Sequence, residues 1–191
     1  VKRYPLHQAT VELGLLAHSG EDPEDPSPFG IKAYRKIKRE RLACPSCFIC
    51  DKDCFHIEEG PFAGTVVYSH AFSPVRRMGK TFCLDDTAHG VVLAGMLNRY
   101  GLGNHEFVRL VEFLFDLKER GLLAKELLKE LPLKQDFESG RALIELVTHR
   151  EGFGDVMAEG MLAVIREVGE EARRYAHQVK GMATMMIRGW I

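Results

Sequence analysis

Residues 104–121, NHEFVRLVEFLFDLKERG, set the fold class of this chain. Two apolar rows, Val108, Val111, Phe115 and Leu110, Leu114, Leu117, recur every three or four residues, the spacing that puts side chains on one buried helix face. Asn104 is a residue type that caps a helix start, and Gly121 is one that closes a helix end. The same punctuation continues on both sides. Upstream, Asp85 or Asp86 caps a helix running to about Tyr100, with Gly101 just beyond. Downstream, a short helix over 122–131 stops before Pro132. Another over 137–149 is stopped by Gly152 and Gly154. Asp155 caps one that reaches Val168 and ends at Gly169. A last helix spans 170–179, before Gly181.

The N-terminal part is less uniform. Residues 1–20 read as a helix ended by Gly20. Residues 21–30, EDPEDPSPFG, hold three prolines and four acids and form a loop. Residues 31–41, IKAYRKIKRER, place Ile31, Tyr34 and Ile37 at helical spacing on a basic helix. Residues 56–75 are the most strand-like, with His56-Ile57 and Thr65-Val66-Val67-Tyr68 flanking a turn at Gly60-Pro61. The fold class is therefore mainly α with little strand. Residues 1–100 and 101–191 are expected to form two helical domains.

The chain has 191 residues, a net charge of -1, 46% hydrophobic and 28% charged residues. That near-neutral balance argues against nucleic acid or a membrane surface as a partner. No segment has the roughly 20 apolar residues of a membrane span. Five cysteines, four of them clustered, do not suit a secreted disulfide framework, so the cytoplasm is the expected compartment. The absence of punctuation at either terminus predicts a piece of a longer chain. No Ser-His-Asp or G-x-S-x-G arrangement supports hydrolase chemistry.

The cysteines carry the chemistry. Cys44, Cys47, Cys50 and Cys54 lie in ACPSCFICDKDC, spaced C-x2-C-x2-C-x3-C. So many soft thiolates in a short run suit a metal centre. A [4Fe–4S] cluster matches the spacing of ferredoxin-type runs, although Phe55 stands where those have proline. A structural zinc ion is the second reading, although zinc sites of four cysteines usually come as two separated pairs. Buried thiols are the third. Cys83, between Phe82 and Leu84, reads as a core residue. His56, His70, His89, His149 and His177 show no metal-ligand spacing, and Lys180 reads as a solvated side chain.

Four segments resemble the tungsten-containing aldehyde ferredoxin oxidoreductases. Residues 43–64, ACPSCFICDKDCFHIEEGPFAG, are similar to the family's cluster-binding stretch, and 97–102, LNRYGL, to a segment that follows a helix. Residues 150–160, REGFGDVMAEG, resemble the family's Arg-x-Gly-x-Gly-Asp-x-x-Ala-Glu-Gly segment, the most specific of the four. Residues 177–182, HQVKGM, look like its Val-Lys-Gly-hydrophobic segment. The blocks come in the family's order and span almost the whole chain.

The resemblance implies the family's two helical C-terminal domains, without its N-terminal β-rich pterin domain. It implies oxidation of small aldehydes to carboxylic acids at a tungsten or molybdenum bis-pterin. Electrons would pass through a [4Fe–4S] cluster to ferredoxin or another electron-transfer subunit, and a homo-oligomer is compatible with it. It places Asp155 and Glu159 beside the cofactor, where either can hydrogen-bond it; capping alone is the competing role of Asp155. The departures bear on the ligands. The family's run is C-x2-C-x3-C with a distant fourth Cys. Starting from Cys44 and Cys47 puts Asp51 at the third position, whereas Cys47, Cys50 and Cys54 satisfy the spacing. After LNRYGL the family has an Asp that contacts the pterin; here Gly103-Asn104-His105-Glu106 follow. His105 and Glu106 can supply a proton donor and acceptor near a substrate, or Asn104 caps a helix whose first turn Glu106 favours. A non-catalytic iron–sulfur or scaffold subunit, and a zinc-stabilised helical module, are the alternative functions.

Overall fold

The computed structural model describes residues 27–42, 52–70 and 73–184. The helix expected within 1–20, most of the loop at 21–30, and Cys44, Cys47 and Cys50 lie outside the described residues. The architecture is mainly α, with a small antiparallel sheet at one end.

The chain enters through helix α1, Ile31–Ile37, and runs directly into strand β1, Lys38–Leu42. The expected basic helix thus ends four residues early, because its last residues pair with strand β2, Lys52–His56. β2 also pairs with β3, Val66–His70, so the sheet order is β1-β2-β3. A run rich in Lys and Arg has weak β-propensity; pairing with β2 overrides it.

Helix α2, Ser73–Thr81, is absent from the sequence reading, which extended strand-like character to residue 75. Its signal is Val75, Met78 and Phe82, all without solvent exposure and three and four residues apart. Pro74 suits the first turn of a helix, where its missing N–H costs nothing. Helix α3, Thr87–Tyr100, follows the expectation. Asp86 Oδ1 accepts from the Ala88 amide at 2.8 Å, and Gly101 closes the end at φ 72°.

Helix α4, Asn104–Glu119, begins one residue before the expected start, with Gly103 as its cap. Asn104 is the first helical residue, and its side chain is used elsewhere. Helix α5 is Lys125–Glu130, and α6, Phe137–His149, has the predicted bounds. Asp136 Oδ1 caps α6 through the Ser139 amide at 2.7 Å.

The long helix expected from Asp155 to Val168 is two helices, α7, Phe153–Ala158, and α8, Met161–Val168. Gly160 at φ 88° breaks them apart, and the cap position is Gly152, with Asp155 in the first turn. A Cβ on Gly154 would sit 2.2 Å from the Leu146 carbonyl oxygen, so α7 approaches α6 this closely only with glycine there. The helix expected over 170–179 is a 3₁₀ turn, Glu170–Tyr175, followed by a two-stranded hairpin, β4 Gln178–Val179 and β5 Met182–Ala183.

Buried apolar side chains form one connected cluster from Phe29 to Ala172. Its largest fully buried members include Phe55 of the sheet, Phe82, Leu97, Leu114, Ile144 and Met161. Each such side chain contributes about 1.5–3 kcal/mol on leaving water. The sheet is thereby packed on the helices, which fixes where β2 and β3 meet the end of α3.

Candidate functional site

The site begins at the sheet. Leu42 and Lys52 are cross-strand partners. The two ends of the segment carrying Cys44, Cys47 and Cys50 are therefore brought together, about 5 Å apart. Cys54 lies two residues into β2, about 7 Å further along the strand. It pairs with Glu40 on one side and Tyr68 on the other and has no solvent exposure. Burial pushes its thiol above the usual range, a hydrogen bond with the Tyr68 phenol partly offsets this, and nearby Glu40 adds to the rise. The same hydrogen bond raises the Tyr68 phenol. Next to it, the fully buried Asp53 accepts from the Tyr34 hydroxyl and stands 3.3 Å from Lys38 Nζ. Lys38 Nζ is not aligned for a hydrogen bond, so this is a charge contact. It ties α1 and β1 to β2, and leaves Cys54 on a rigid strand.

A chain of side-chain contacts leads away from Tyr68. Asn98 Nδ2, near the end of α3, donates to the Tyr68 carbonyl oxygen at 2.7 Å. Asn98 Oδ1 accepts from Asn104 Nδ2 at 3.0 Å. Asn104 Oδ1 is buried and has no donor among the described residues. In the next turn of sequence, Glu106 Oε1 accepts from the Ala183 amide at 2.9 Å, fastening the β4–β5 hairpin to the start of α4. His105 is exposed beside it. The segments 97–102 and 177–182, and the strand carrying Cys54, are thus linked through a few polar contacts.

The segment 150–160 joins them through its neighbour His149, whose ring meets that of Tyr100 edge-on with centroids 6.4 Å apart. Arg150 sits at φ 55° as the cap of α6 and grips two acids. Its Nη1 donates to Asp155 Oδ1 at 2.5 Å and its Nη2 to Glu159 Oε1 at 2.6 Å. Both carboxylates are exposed, so the fork orients them at the surface.

Each sequence-predicted site residue now has a position, except the three cysteines outside the described residues. Glu106 is engaged as a tether and His105 is exposed. Asp155 and Glu159 share one arginine. Among the described residues no three His, Cys, Asp or Glu side chains gather as a metal site. Cys83 is a correction: it is exposed at φ 49° just past α2, because the chain turns there into the left-handed region. His89 is packed, its ring stacked on Phe137 at 4.4 Å. Lys180 is exposed in the β4–β5 turn at φ 53°. Sequence reasoning missed Tyr68 and Asn98 as contributors. Asn98 lies inside LNRYGL, and an amide one turn before a glycine stop was the available signal.

The family model of aldehyde ferredoxin oxidoreductase domains 2 and 3 matches residues 18–189. The chain belongs to the aldehyde ferredoxin oxidoreductase family. It corresponds to domains 2 and 3 of that family, and its helical fold is that of those C-terminal domains. A curated relative, the WOR-like subunit of an aliphatic sulfonate oxidoreductase from Pyrococcus furiosus, is 25% identical over 144 residues, covering 70% of this chain and 23% of that protein. The active site complex BamBC of benzoyl coenzyme A reductase, solved with 1,5-dienoyl-CoA, shares the fold. Its TM-score is 0.59 over 78% of this chain and 22% of that chain, at 24% identity. The chain therefore spans under a quarter of the length of either. Among the described residues no helix is long and apolar enough to cross a membrane.

Proposed function

We propose that this domain serves an enzyme that oxidises aldehydes to carboxylic acids at a tungsten or molybdenum bis-pterin and delivers the electrons, by way of a [4Fe–4S] cluster, to ferredoxin. The observation that carries the reading is the buried Asn104 Oδ1, which has no donor among the described residues, at the start of α4 beside the LNRYGL segment. Buried polar groups are almost always hydrogen-bonded, so such an acceptor calls for a donor. A pterin offers ring N–H and amino donors and fits it. The thiolates of Cys44, Cys47, Cys50 and Cys54 are the donors iron prefers. The closed ends of the segment between β1 and β2 favour their gathering.

The bound metal–pterin would supply the two-electron oxidation itself. The balance is one aldehyde and one water to one carboxylic acid, two electrons and two protons. The residues of this chain handle what surrounds that change. His105, exposed on the first turn of α4, receives a released proton and passes it to solvent. Glu106 is the proton acceptor and also keeps the hairpin against α4. Asp155 and Glu159, turned by Arg150, accept from cofactor N–H groups. The free, exposed thiol of Cys83 suits a reducing cytoplasm. The names of the two relatives, a subunit and an active site complex, support assembly with further subunits.

The test is the full-length protein purified without oxygen. About four irons per cluster-bearing chain, broad visible absorption, tungsten or molybdenum, and aldehyde-dependent reduction of ferredoxin are expected. Asn104→Leu is expected to lose pterin while keeping iron. One zinc per chain and no colour sinks the redox reading; iron without tungsten or molybdenum leaves an electron-transfer subunit instead.

A further inference from the structure

Lys38 reaches Asp53 because β1 is irregular. Glu40 pairs with Cys54, whereas Lys38 pairs with Phe55, two residues from Asp53 and on the same face of β2. In a regular strand Lys38 and Glu40 would lie on one face. The register shift between them turns Lys38 to the other, which is how a bulge re-aims a side chain. There Asp53 has no solvent exposure, and each of its carboxylate oxygens has a partner. Oδ2 accepts from the Tyr34 hydroxyl, and Oδ1 lies 3.3 Å from Lys38 Nζ. The Lys38 side chain is 12% exposed, and its Nζ stands 5.1 Å from the centre of the Tyr34 ring.

Taking two charges out of water is costly, and apolar side chains of similar size commonly hold a fold as well or better. Stability is therefore a weak reason for an ion pair at this place. Its position supplies another. Asp53 is the covalent neighbour of Cys54, and it follows Lys52, whose cross-strand partner Leu42 opens the cysteine segment. Charges buried near a redox centre are poorly screened and move its potential: a negative one disfavours the added electron and a positive one favours it. We propose that the Lys38–Asp53 pair tunes the reduction potential of an iron–sulfur cluster held by Cys54 and the adjoining cysteine segment, with Asp53 lowering it and Lys38 offsetting Asp53. Whatever other charges lie nearby, neutralising one member of the pair changes the local charge by one unit. The sign of each shift therefore follows from the pair alone.

The proposal rests on the cluster reading above, and iron content tells the failure of one from the failure of the other. The test is a redox titration of the full-length protein purified without oxygen, followed by visible absorption and electron paramagnetic resonance. Asp53→Asn removes the negative charge and raises the cluster midpoint. Lys38→Met removes the positive charge and lowers it. A merely structural pair does not give opposite signs, because loosening the strand acts in the same direction whichever partner is lost. Shifts of the same sign, or an unmoved midpoint in either variant, overturn the proposal, while iron at the parent level leaves the cluster reading standing. Loss of iron from both variants also overturns it, since the pair is then a requirement of the fold. Should one variant alone lose iron, or unfold as read by circular dichroism, the sign of the other's shift decides. A parent protein without iron overturns the cluster reading and the proposal together.

Discussion

Cys54 and Cys83 show how one residue type is given two chemistries by position. Cys54 lies in the middle of a three-stranded sheet, sealed from water, and burial keeps it as a thiol. Cys83 lies in the open just past α2. Alkylation needs both access and thiolate, so the two differ in reactivity. In the metal-free folded chain at pH 8, iodoacetamide is expected to label Cys83 within minutes and leave Cys54 unlabelled until denaturant is added. Peptide mapping by mass spectrometry reads both sites at once, and early labelling of Cys54 contradicts its burial. Asn104 makes the same point for an amide. The sequence offered it as a helix cap; the fold turned its Nδ2 to Asn98 and left Oδ1 without a donor among the described residues.

At the scale of elements, end chemistry explains which helices the sequence located well. The bounds of α6 were readable because Asp136, the apolar period and the break after His149 agree. The Asp136 carboxylate is held below the usual range, first by the Ser139 amide. Its folded value is thus lower than the ordinary ~3.9 of the unfolded chain. The cap's contribution is present above that ordinary value and is lost as pH falls through the folded one. Asp136→Ala is expected to cost about 1 kcal/mol at pH 7. The gap to the parent protein, read from urea midpoints, should close in strong acid; a gap that persists there shows the loss is packing. Elements that sequence misjudged lacked such ends. The basic run after Ile37 became β1 because β2 supplied a partner, and 155–168 split because Gly160 could take a positive φ. The amphipathic signal of α2 was present in Val75, Met78 and Phe82, yet was hidden behind a strand-like stretch.

For the whole molecule, the sheet and the helical core together decide where the cysteine segment starts and ends. β1–β2 pairing brings residues 42 and 52 together, and Asp53 with Tyr34 and Lys38 anchors the strand that holds Cys54. If Cys54 completes the ligand set, Cys44→Ser and Cys54→Ser should each reduce the iron content of the anaerobically purified full-length protein. Iron lost with Cys44→Ser but retained with Cys54→Ser would assign the fourth ligand elsewhere. The sequence by itself determined the helical class, most helix ends, the family and the four thiols, because these are local: periodicity, caps and short motifs need no distant partner. Only the tertiary structure decided that Tyr68, Asn98 and Asn104 form one polar path from the cysteine strand to α4. It also decided that Arg150 gathers Asp155 and Glu159, and that Glu112 of α4 takes both the Thr81 hydroxyl and the Arg109 guanidinium. Each of these joins residues on different elements, and which of them meet is set by packing around the shared core.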